Sequence, residues 1–103
     1  MEDRNKFSDQ FDEILVCADH IERERKENDM WKELEEFFDS DELVDKIHYS
    51  EIQNLKFQPE SAYPVIKIKT GVEWRKLPIE GEEKAQKVFN RLRYRYQAYL
   101  QNN

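Results

Sequence analysis

Residues 65–77 read VIKIKTGVEWRKL, and this pattern predicts a tight β-hairpin. Apolar and polar side chains alternate through residues 65–70 and again through residues 72–77, which is typical of strands with one buried face. Gly71 lies between the two runs and supplies the turn. Two antiparallel strands are therefore expected here, with Trp74 packed in the core.

A long helix is predicted after the hairpin. The segment Pro78-Ile79-Glu80-Gly81 ends the second strand, and two glutamates then give the helix a negative first turn, which suits its dipole. Apolar residues follow at helical spacing, namely Ala85, Val88, Phe89, Leu92, Tyr96, Tyr99 and Leu100. Basic residues line another face, namely Lys84, Lys87, Arg91 and Arg95. The prediction is an amphipathic C-terminal helix with a basic face.

An earlier strand is predicted upstream of the hairpin. Ile47 and Tyr49 alternate with polar neighbours, and Leu55 and Phe57 do so again. Strict alternation fails from residue 50 to residue 54, so this strand is expected to contain a bulge or a turn. Together with the hairpin it makes a three-stranded antiparallel meander.

Residues 1–46 are predicted to be helical. Apolar residues recur there at steps of four, three, four and three, namely Phe7, Phe11, Ile14, Ala18 and Ile21. This is the period of an amphipathic helix with one narrow seam, and it predicts a first helix over about residues 8–27. Asn28 and Asp29 then suit the end of that helix and the cap of a second, shorter one. The apolar side chains of the second helix are Met30, Trp31, Leu34, Phe37 and Phe38.

The expected fold is therefore α+β. It has an N-terminal helical hairpin in residues 1–46, followed by the three-stranded antiparallel meander and the long C-terminal helix in residues 47–103. The chain has 103 residues and a mass of 12.6 kDa. This length fits a single domain over residues 1–103 and excludes a large two-domain enzyme, because domains usually have roughly 100 to 200 residues.

Three features of the second half occur in a particular order: the segment Ile47-His48-Tyr49-Ser50-Glu51-Ile52, the strand end Glu73-Trp74-Arg75-Lys76-Leu77, and the closing helix. In this order they resemble the C-terminal half of small prokaryotic PH-like domains. A complete PH-like fold is a seven-stranded, two-sheet barrel capped by such a helix, so the resemblance is partial. It implies an interaction scaffold. The family's lipid-headgroup residues lie between its first two strands, which have no counterpart in the predicted fold, and none is carried over.

Composition indicates a folded chain. Charged residues make up 39%, but aromatic residues make up 13%, and there are only 2 Gly and 3 Pro, which disordered chains seldom show. No apolar run approaches the roughly 18 to 20 residues that cross a bilayer, and the N-terminus does not resemble a signal sequence. Cys17 is the single cysteine, so an internal disulfide is excluded. A soluble cytoplasmic protein is expected.

Charge is distributed unevenly along the sequence. Residues 1–50 contain 17 acidic and 7 basic side chains, a net charge of −10, and residues 51–103 contain 6 acidic and 10 basic side chains, a net charge of +4. The acidic half argues against wrapping of nucleic acid, because non-specific affinity comes from Lys and Arg on phosphates. The two halves are expected to attract each other within the fold.

No catalytic or metal-binding constellation is predicted. Cys17 and His20 are three residues apart on the expected first helix, with Asp19 nearby, but a tetrahedral zinc site needs three or four ligands. The only other histidine, His48, is expected on a strand, so no metal and no cofactor is predicted. The 2 glycines open no phosphate-binding motif, and no serine lies in a Gly-x-Ser-x-Gly turn. An enzyme is therefore not expected.

The leading functional hypothesis is a protein-interaction module without catalytic activity. The narrow seam of the first helix is also what self-association would use, so a homodimer through Phe11 and Ile14 is one form of this hypothesis. Trp31 follows a polar stretch and is expected as an exposed anchor for a protein partner.

Two alternatives stay open. Arginine and tyrosine interleave in residues 91–99, and such a surface can bind nucleic acid through Lys84, Lys87, Arg91 and Arg95. Peripheral membrane contact follows from the PH-like analogy alone. Both alternatives are disfavoured, because the first half of the chain is acidic and the resemblance is partial.

Overall fold

The computed structural model describes residues 5–59 and 63–102. Within these ranges the chain forms seven strands, two α-helices and one 3-10 turn. The strands are β1 (Lys6–Ser8), β2 (Asp12–Val16), β3 (His20–Arg25), β4 (Lys46–His48), β5 (Asn54–Gln58), β6 (Val65–Thr70) and β7 (Glu73–Pro78). The helices are α1 (Met30–Phe37) and α2 (Glu82–Gln101), and the 3-10 turn is Tyr49–Glu51. None of these helices is long and apolar enough to cross a membrane.

The strands form two antiparallel sheets. The first sheet has the order β1-β2-β3-β4, and the second has the order β5-β6-β7. The segment before β4 runs along the edge strand β7, where Leu43 forms a parallel bridge with Lys76. The N–H of Val44 donates to the carbonyl of Lys76 at 3.0 Å, and the N–H of Lys76 donates to the carbonyl of Glu42 at 2.8 Å. The chain that enters the first sheet therefore also extends the second.

Arg23 of β3 ties the two sheets together. Its side chain is fully buried, and its guanidinium donates to the carbonyl oxygens of Pro78 at 2.7 Å and Val44 at 3.2 Å. Its Nε also lies 3.3 Å from Oδ1 of Asp45, and its Cζ lies 4.7 Å from the centre of the Trp31 ring. Burial lowers the pKa of Arg23, although the nearby Asp45 carboxylate opposes this shift. Arginine stays charged at neutral pH, so these acceptors hold a buried cation.

The core lies between the sheets and under α2. Both sheets and the helix contribute fully buried apolar side chains, among them Ile14, Val16, Ile66, Ile68, Ala85, Val88 and Leu92. A smaller apolar cluster lies beneath α1 and contains Trp31, Leu34, Phe38, Leu43 and Val65. One continuous core therefore joins the strands of the first half to those of the second.

The predicted N-terminal helical hairpin is wrong. Residues 8–27 form strands, and only the second, shorter helix is present, as α1. The turns after β1 and β2 interrupt the two-residue alternation of the strands. As a result, the apolar residues of successive strands recur at intervals of four and three residues, which resembles a helical pattern. The alternation is also masked, because the inward positions of Asp12 and Arg23 are only 2% and 5% exposed although both residues are charged. The β-branched Ile14 and Val16 favour strands.

The predicted three-stranded meander is also wrong in its first strand. Residues 47–57 do not form one strand, because the 3-10 turn carries the chain from β4 in the first sheet to β5 in the second. His48 Nδ1 accepts the N–H of Ser50 at 3.1 Å, and the carboxylate of Glu51 accepts the N–H of His48 at 3.2 Å. This reciprocal cap fixes the turn. The β6–β7 hairpin, with Gly71 at a φ of 64°, and the long helix α2 are both present.

Candidate functional site

The outer face of the second sheet carries a row of lysines. Lys56 of β5 lies opposite Lys67 of β6, which in turn lies opposite Lys76 of β7. Two pairs further along, Lys69 lies opposite Trp74. In β6 the alternate residues Ile66 and Ile68 point inward and are buried, so the lysines and Trp74 share the opposite, outer face. We call Lys56, Lys67, Lys69, Lys76 and Trp74 the lysine face.

Trp74 lies at the centre of the lysine face. The Nζ of Lys56 is 5.0 Å and the Nζ of Lys69 is 5.9 Å from the centre of its ring. Both distances suit cation–π attraction. The indole is half-buried and belongs to neither buried cluster, so the expected core position of Trp74 is not what the fold gives it.

Most of the positive charge of the lysine face is not neutralised by the residues that the structure describes. Lys76 Nζ lies 2.6 Å from the Glu42 carboxylate. Lys56, Lys67 and Lys69 form no ion pair with any residue in the ranges 5–59 and 63–102. Like charges directly opposite each other in a sheet are destabilising. The arrangement is therefore suited to holding an anionic group, although the chain has 23 acidic residues of its own.

A groove of about 570 Å³ lies along this face. Four members of the lysine face line its basic side, namely Lys56, Lys67, Trp74 and Lys76, and Asp39, Asp41 and Glu42 line its acidic side. The edge of β7 borders this groove. The backbone N–H and C=O of Lys76 point to that edge and bond to residues 42–44. Because strand alternation repeats every two residues, the backbone groups of Trp74 point to the same edge. In the described part of the chain, no backbone group meets Trp74 on that side. An extended peptide could add there.

The basic residues predicted on α2 lie in different settings. Lys84 is tied down, because its Nζ lies 2.8 Å from Oδ2 of Asp9 and 2.5 Å from Oδ1 of Asp12. Lys87 Nζ lies 3.3 Å from the Glu83 carboxylate in an exposed pair. The remaining two are half-buried: Arg91, which stacks at 5.6 Å over Tyr94, and Arg95. Lys87 and Arg91 share a groove of about 550 Å³ with Phe7, and Lys84 lies outside it.

The Lys84 contacts also set the charge state of Asp9. Burial alone raises the pKa of Asp9, but the hydrogen bond from Lys84 and those from the backbone N–H groups of Phe11 and Asp12 outweigh it. The pKa of Asp9 is therefore lowered from its ordinary value. Lys84 bridges α2 to the loop after β1 and is not presented to solvent as a binding cation.

The residues predicted as hydrophobic anchors lie within the fold. Ile14 is fully buried in the core, and Trp31 is 7% exposed. The indole N–H of Trp31 donates to the carbonyl of Phe11 at 2.8 Å, and its ring lies between the guanidinium groups of Arg23 and Arg25. The structure brings Phe11 and Trp31 together, but residues 8–27 form strands and turns and not the predicted helix that would carry the seam for self-association.

Cys17 and His20 come together at the turn between β2 and β3 instead of on a helix. One ligand atom each from Cys17, His20 and Glu22 lies within 4.8 Å of the other two, so these residues could hold a metal ion. Oδ1 of Asp19 lies 2.7 Å from Nδ1 of His20, and this hydrogen bond lowers the pKa of Asp19. The predicted helix placed Cys17, His20 and Asp19 close together but not Glu22. In strand β3, His20 and Glu22 are two residues apart and therefore lie on the same face.

The lysine face was missed by the sequence reasoning, although its signal is present. Lys67 and Lys69 have one parity in residues 65–70, and Trp74 and Lys76 share the parity opposite to the buried Leu77. In comparisons with known proteins, no family model, no curated protein and no solved structure matches the chain. Function is therefore inferred from the site geometry.

Proposed function

We propose that this chain is a non-catalytic interaction domain whose lysine face binds an acidic, extended segment of a partner protein. The observation that carries the proposal is the row of Lys56, Lys67 and Lys76 in register across three strands. Such a row opposes folding through like-charge repulsion. A bound row of carboxylates would remove that repulsion, and Trp74 adds an aromatic surface of the kind that often anchors protein partners.

The groove favours a peptide over a broader polyanion. Its acidic side, formed by Asp39, Asp41 and Glu42, would repel a flat membrane or a nucleic acid that extended beyond the lysines. A single extended segment can avoid that side. Its main chain could pair with the edge of β7 at Trp74, while alternate side chains reach the lysines.

The same proposal includes a PH-like architecture. Its support is the presence of seven strands in two sheets followed by a closing helix, as in the barrel that the resemblance implies, although α1 stands between β3 and β4. The loop between β1 and β2 contains Asp9, Gln10 and Phe11 and no basic residue, so a headgroup site of the family's kind has no support there.

We place the domain in the reducing cytoplasm, since a single cysteine is usual there.

A peptide titration tests the proposed function. The probe is a fluorescently labelled peptide of alternating glutamate and serine, titrated with the full chain at about 0.05 and about 0.5 M salt, which bracket weak and strong screening. We expect saturable binding that weakens with salt and quenches Trp74 emission. Lys67→Glu should weaken binding at least tenfold. The matched control Lys87→Glu changes an equally basic, exposed side chain on α2 and should leave the affinity within about twofold.

Three outcomes would overturn the proposal. If the peptide does not bind at low salt, the lysine face has no such partner. If Lys87→Glu weakens binding and Lys67→Glu does not, the anion site lies on α2. If single-stranded nucleic acid or vesicles with anionic lipid bind through Lys67 more tightly than the peptide, the face recognises that polyanion instead.

A further inference from the structure

Three hydrogen bonds fix the turn between β2 and β3. The N–H of Cys17 donates to the carbonyl of His20 at 2.8 Å. Tyr49 fixes the turn from the adjoining 3-10 segment, because its N–H donates to the carbonyl of Asp19 at 2.9 Å and its hydroxyl donates to the carbonyl of Cys17 at 2.6 Å. Tyr49 is itself 1% exposed, and burial raises its pKa, so the hydroxyl remains a donor.

Three potential metal ligands of different chemistry converge on this rigid turn. The ligand atoms of Cys17, His20 and Glu22 lie within 4.8 Å of one another, and all three residues are half-buried. Ligand atoms around one zinc ion lie roughly 3.3 to 3.8 Å apart, given tetrahedral angles and bonds of about 2.0 to 2.3 Å. Side-chain rotations that move each ligand atom by about 1 Å would bring all three within bonding distance of one ion. Thiolate, imidazole and carboxylate are the three ligand types that zinc takes in proteins.

Asp19 orients the imidazole for this role. Its Oδ1 lies 2.7 Å from Nδ1 of His20, so Nδ1 carries the proton that is donated to the carboxylate. The lone pair is then on Nε2, which lies 3.7 Å from Oε1 of Glu22. Metal-bound histidines commonly donate their second ring N–H to a carboxylate in this way.

His48 lies close by, but its hydrogen bonds give it a different state. Its Nδ1 accepts the N–H of Ser50 at 3.1 Å, which leaves the ring proton on Nε2. That Nε2 lies 3.7 Å from Oδ2 of Asp19. The neutral ring therefore has no lone pair directed at the cluster, and His48 can serve as a control in its immediate neighbourhood.

We propose that Cys17 Sγ, His20 Nε2 and the Glu22 carboxylate bind one Zn²⁺ ion, with water as the fourth ligand and Asp19 as a positioning residue. The Cys17 thiol loses its proton to solvent when the ion binds. The ion would clip the tip of the β2–β3 hairpin. This site lies on the first sheet and does not depend on the lysine face or on the proposed function.

Cobalt titration of the full, reduced chain tests the site. After removal of metals with a chelator, Co²⁺ should produce a thiolate-to-cobalt charge-transfer band that saturates at one ion per chain. Addition of Zn²⁺ should displace the Co²⁺ and abolish the band. Cys17→Ser should abolish the band, and His20→Ala should weaken Co²⁺ binding at least tenfold. His48→Gln, the control, should bind as the unaltered chain does. Absence of the band in the unaltered chain, or its loss in His48→Gln with retention in His20→Ala, would overturn the proposal.

A second measurement separates a ligand from a residue that only supports the fold. Asp19→Asn should keep the charge-transfer band but weaken Zn²⁺ binding about 10- to 100-fold, as loss of a carboxylate behind a bound histidine does. Zn²⁺ should raise the melting temperature of the unaltered chain and leave that of Cys17→Ser unchanged. Equal stabilisation of both chains by Zn²⁺ would place the ion elsewhere and contradict the assignment. If Cys17→Ser does not fold, the cobalt titration of the unaltered chain decides alone.

Discussion

The outer faces of the two sheets carry opposite charge. On the first sheet, the outward positions of β2 and β3 include Glu13, Glu22 and Glu24, whereas the second sheet presents the lysine face. The halves of the sequence, with net charges of −10 and +4, therefore become two surfaces that point away from each other. The apolar core joins the two halves, and among the described residues the ion pairs of Lys76 with Glu42 and of Lys84 with Asp9 and Asp12 also link them. The two proposals rest on this difference: a cation at the acidic first sheet and an acidic segment at the basic second sheet.

Breaking the buried ion pair between the halves should have the largest effect on stability. In Lys84→Met, the Asp12 carboxylate, which is 2% exposed, loses its cation while remaining buried. We expect the free energy of unfolding to fall by about 3 kcal/mol or more, the usual cost of an orphaned buried charge. Urea denaturation measures it. Lys87→Met is the control, because its pair with Glu83 is exposed and its loss should cost less than about 0.5 kcal/mol.

If the two lysine variants lose equal stability, the Lys84 bridge is not a link between the halves. An unchanged urea midpoint in Lys84→Met would lead to the same conclusion.

Removing the tie between the sheets should have the next largest effect. In Arg23→Met, the carbonyl oxygens of Val44 and Pro78 lose a buried donor, and the Trp31 ring loses a stacked cation. We expect a loss of about 2 kcal/mol, since unsatisfied buried polar groups cost about 1 to 3 kcal/mol each and the methionine recovers some apolar burial. Arg25→Met is the control, because that side chain is partly exposed and should matter less. Equal urea midpoints for the two variants would contradict this role.

Acid should weaken the contact between α2 and the first sheet. The pKa of Asp9 is lowered in the folded chain, so its contribution to stability is present above its unfolded value of about 3.8 and is lost as the pH falls through the folded pKa. We expect the melting temperature of the unaltered chain to decrease below about pH 4. Asp9→Asn should show a shallower decrease in that range. The same slope in both chains would mean that other carboxylates determine the acid response.

The sequence was sufficient to predict those elements that local pattern determines. The β6–β7 hairpin, α1 and α2 follow from alternation, the turn at Gly71, helical spacing and an acidic first turn. The strands before α1 were not predictable in this way. Asp12 and Arg23 occupy inward strand positions, and they are tolerable there only because Lys84 and the carbonyl of Pro78, 72 and 55 residues away along the chain, satisfy them.

The candidate sites were predictable only in part for the same reason. Cys17, His20 and Asp19 were recognised together because they are close in sequence, but the helical prediction gave Glu22 no place beside them. The lysine face needs the pairing of three strands, so no single segment reveals it. A strand prediction for residues 12–16 and 20–25 would have placed His20 and Glu22 on one face, since side chains two residues apart share a face.

The smallest expected effect tests whether the lysine face is a compromise between stability and binding. Lys67→Gln removes the central charge of the row, so the chain without ligand should be more stable by a few tenths of a kcal/mol. Its affinity for the acidic peptide should nevertheless fall. On the first sheet the opposite sign is expected: Lys6→Gln breaks the pair with Glu13 at 2.9 Å and should lower stability by a similar amount. Both changes remove one lysine charge, so net charge cannot explain opposite signs. Urea midpoints measured at low salt would show them, and convergence of both variants on the unaltered chain at about 1 M salt would identify the effects as electrostatic. A loss of stability in Lys67→Gln would mean that the row is satisfied within the fold and needs no partner.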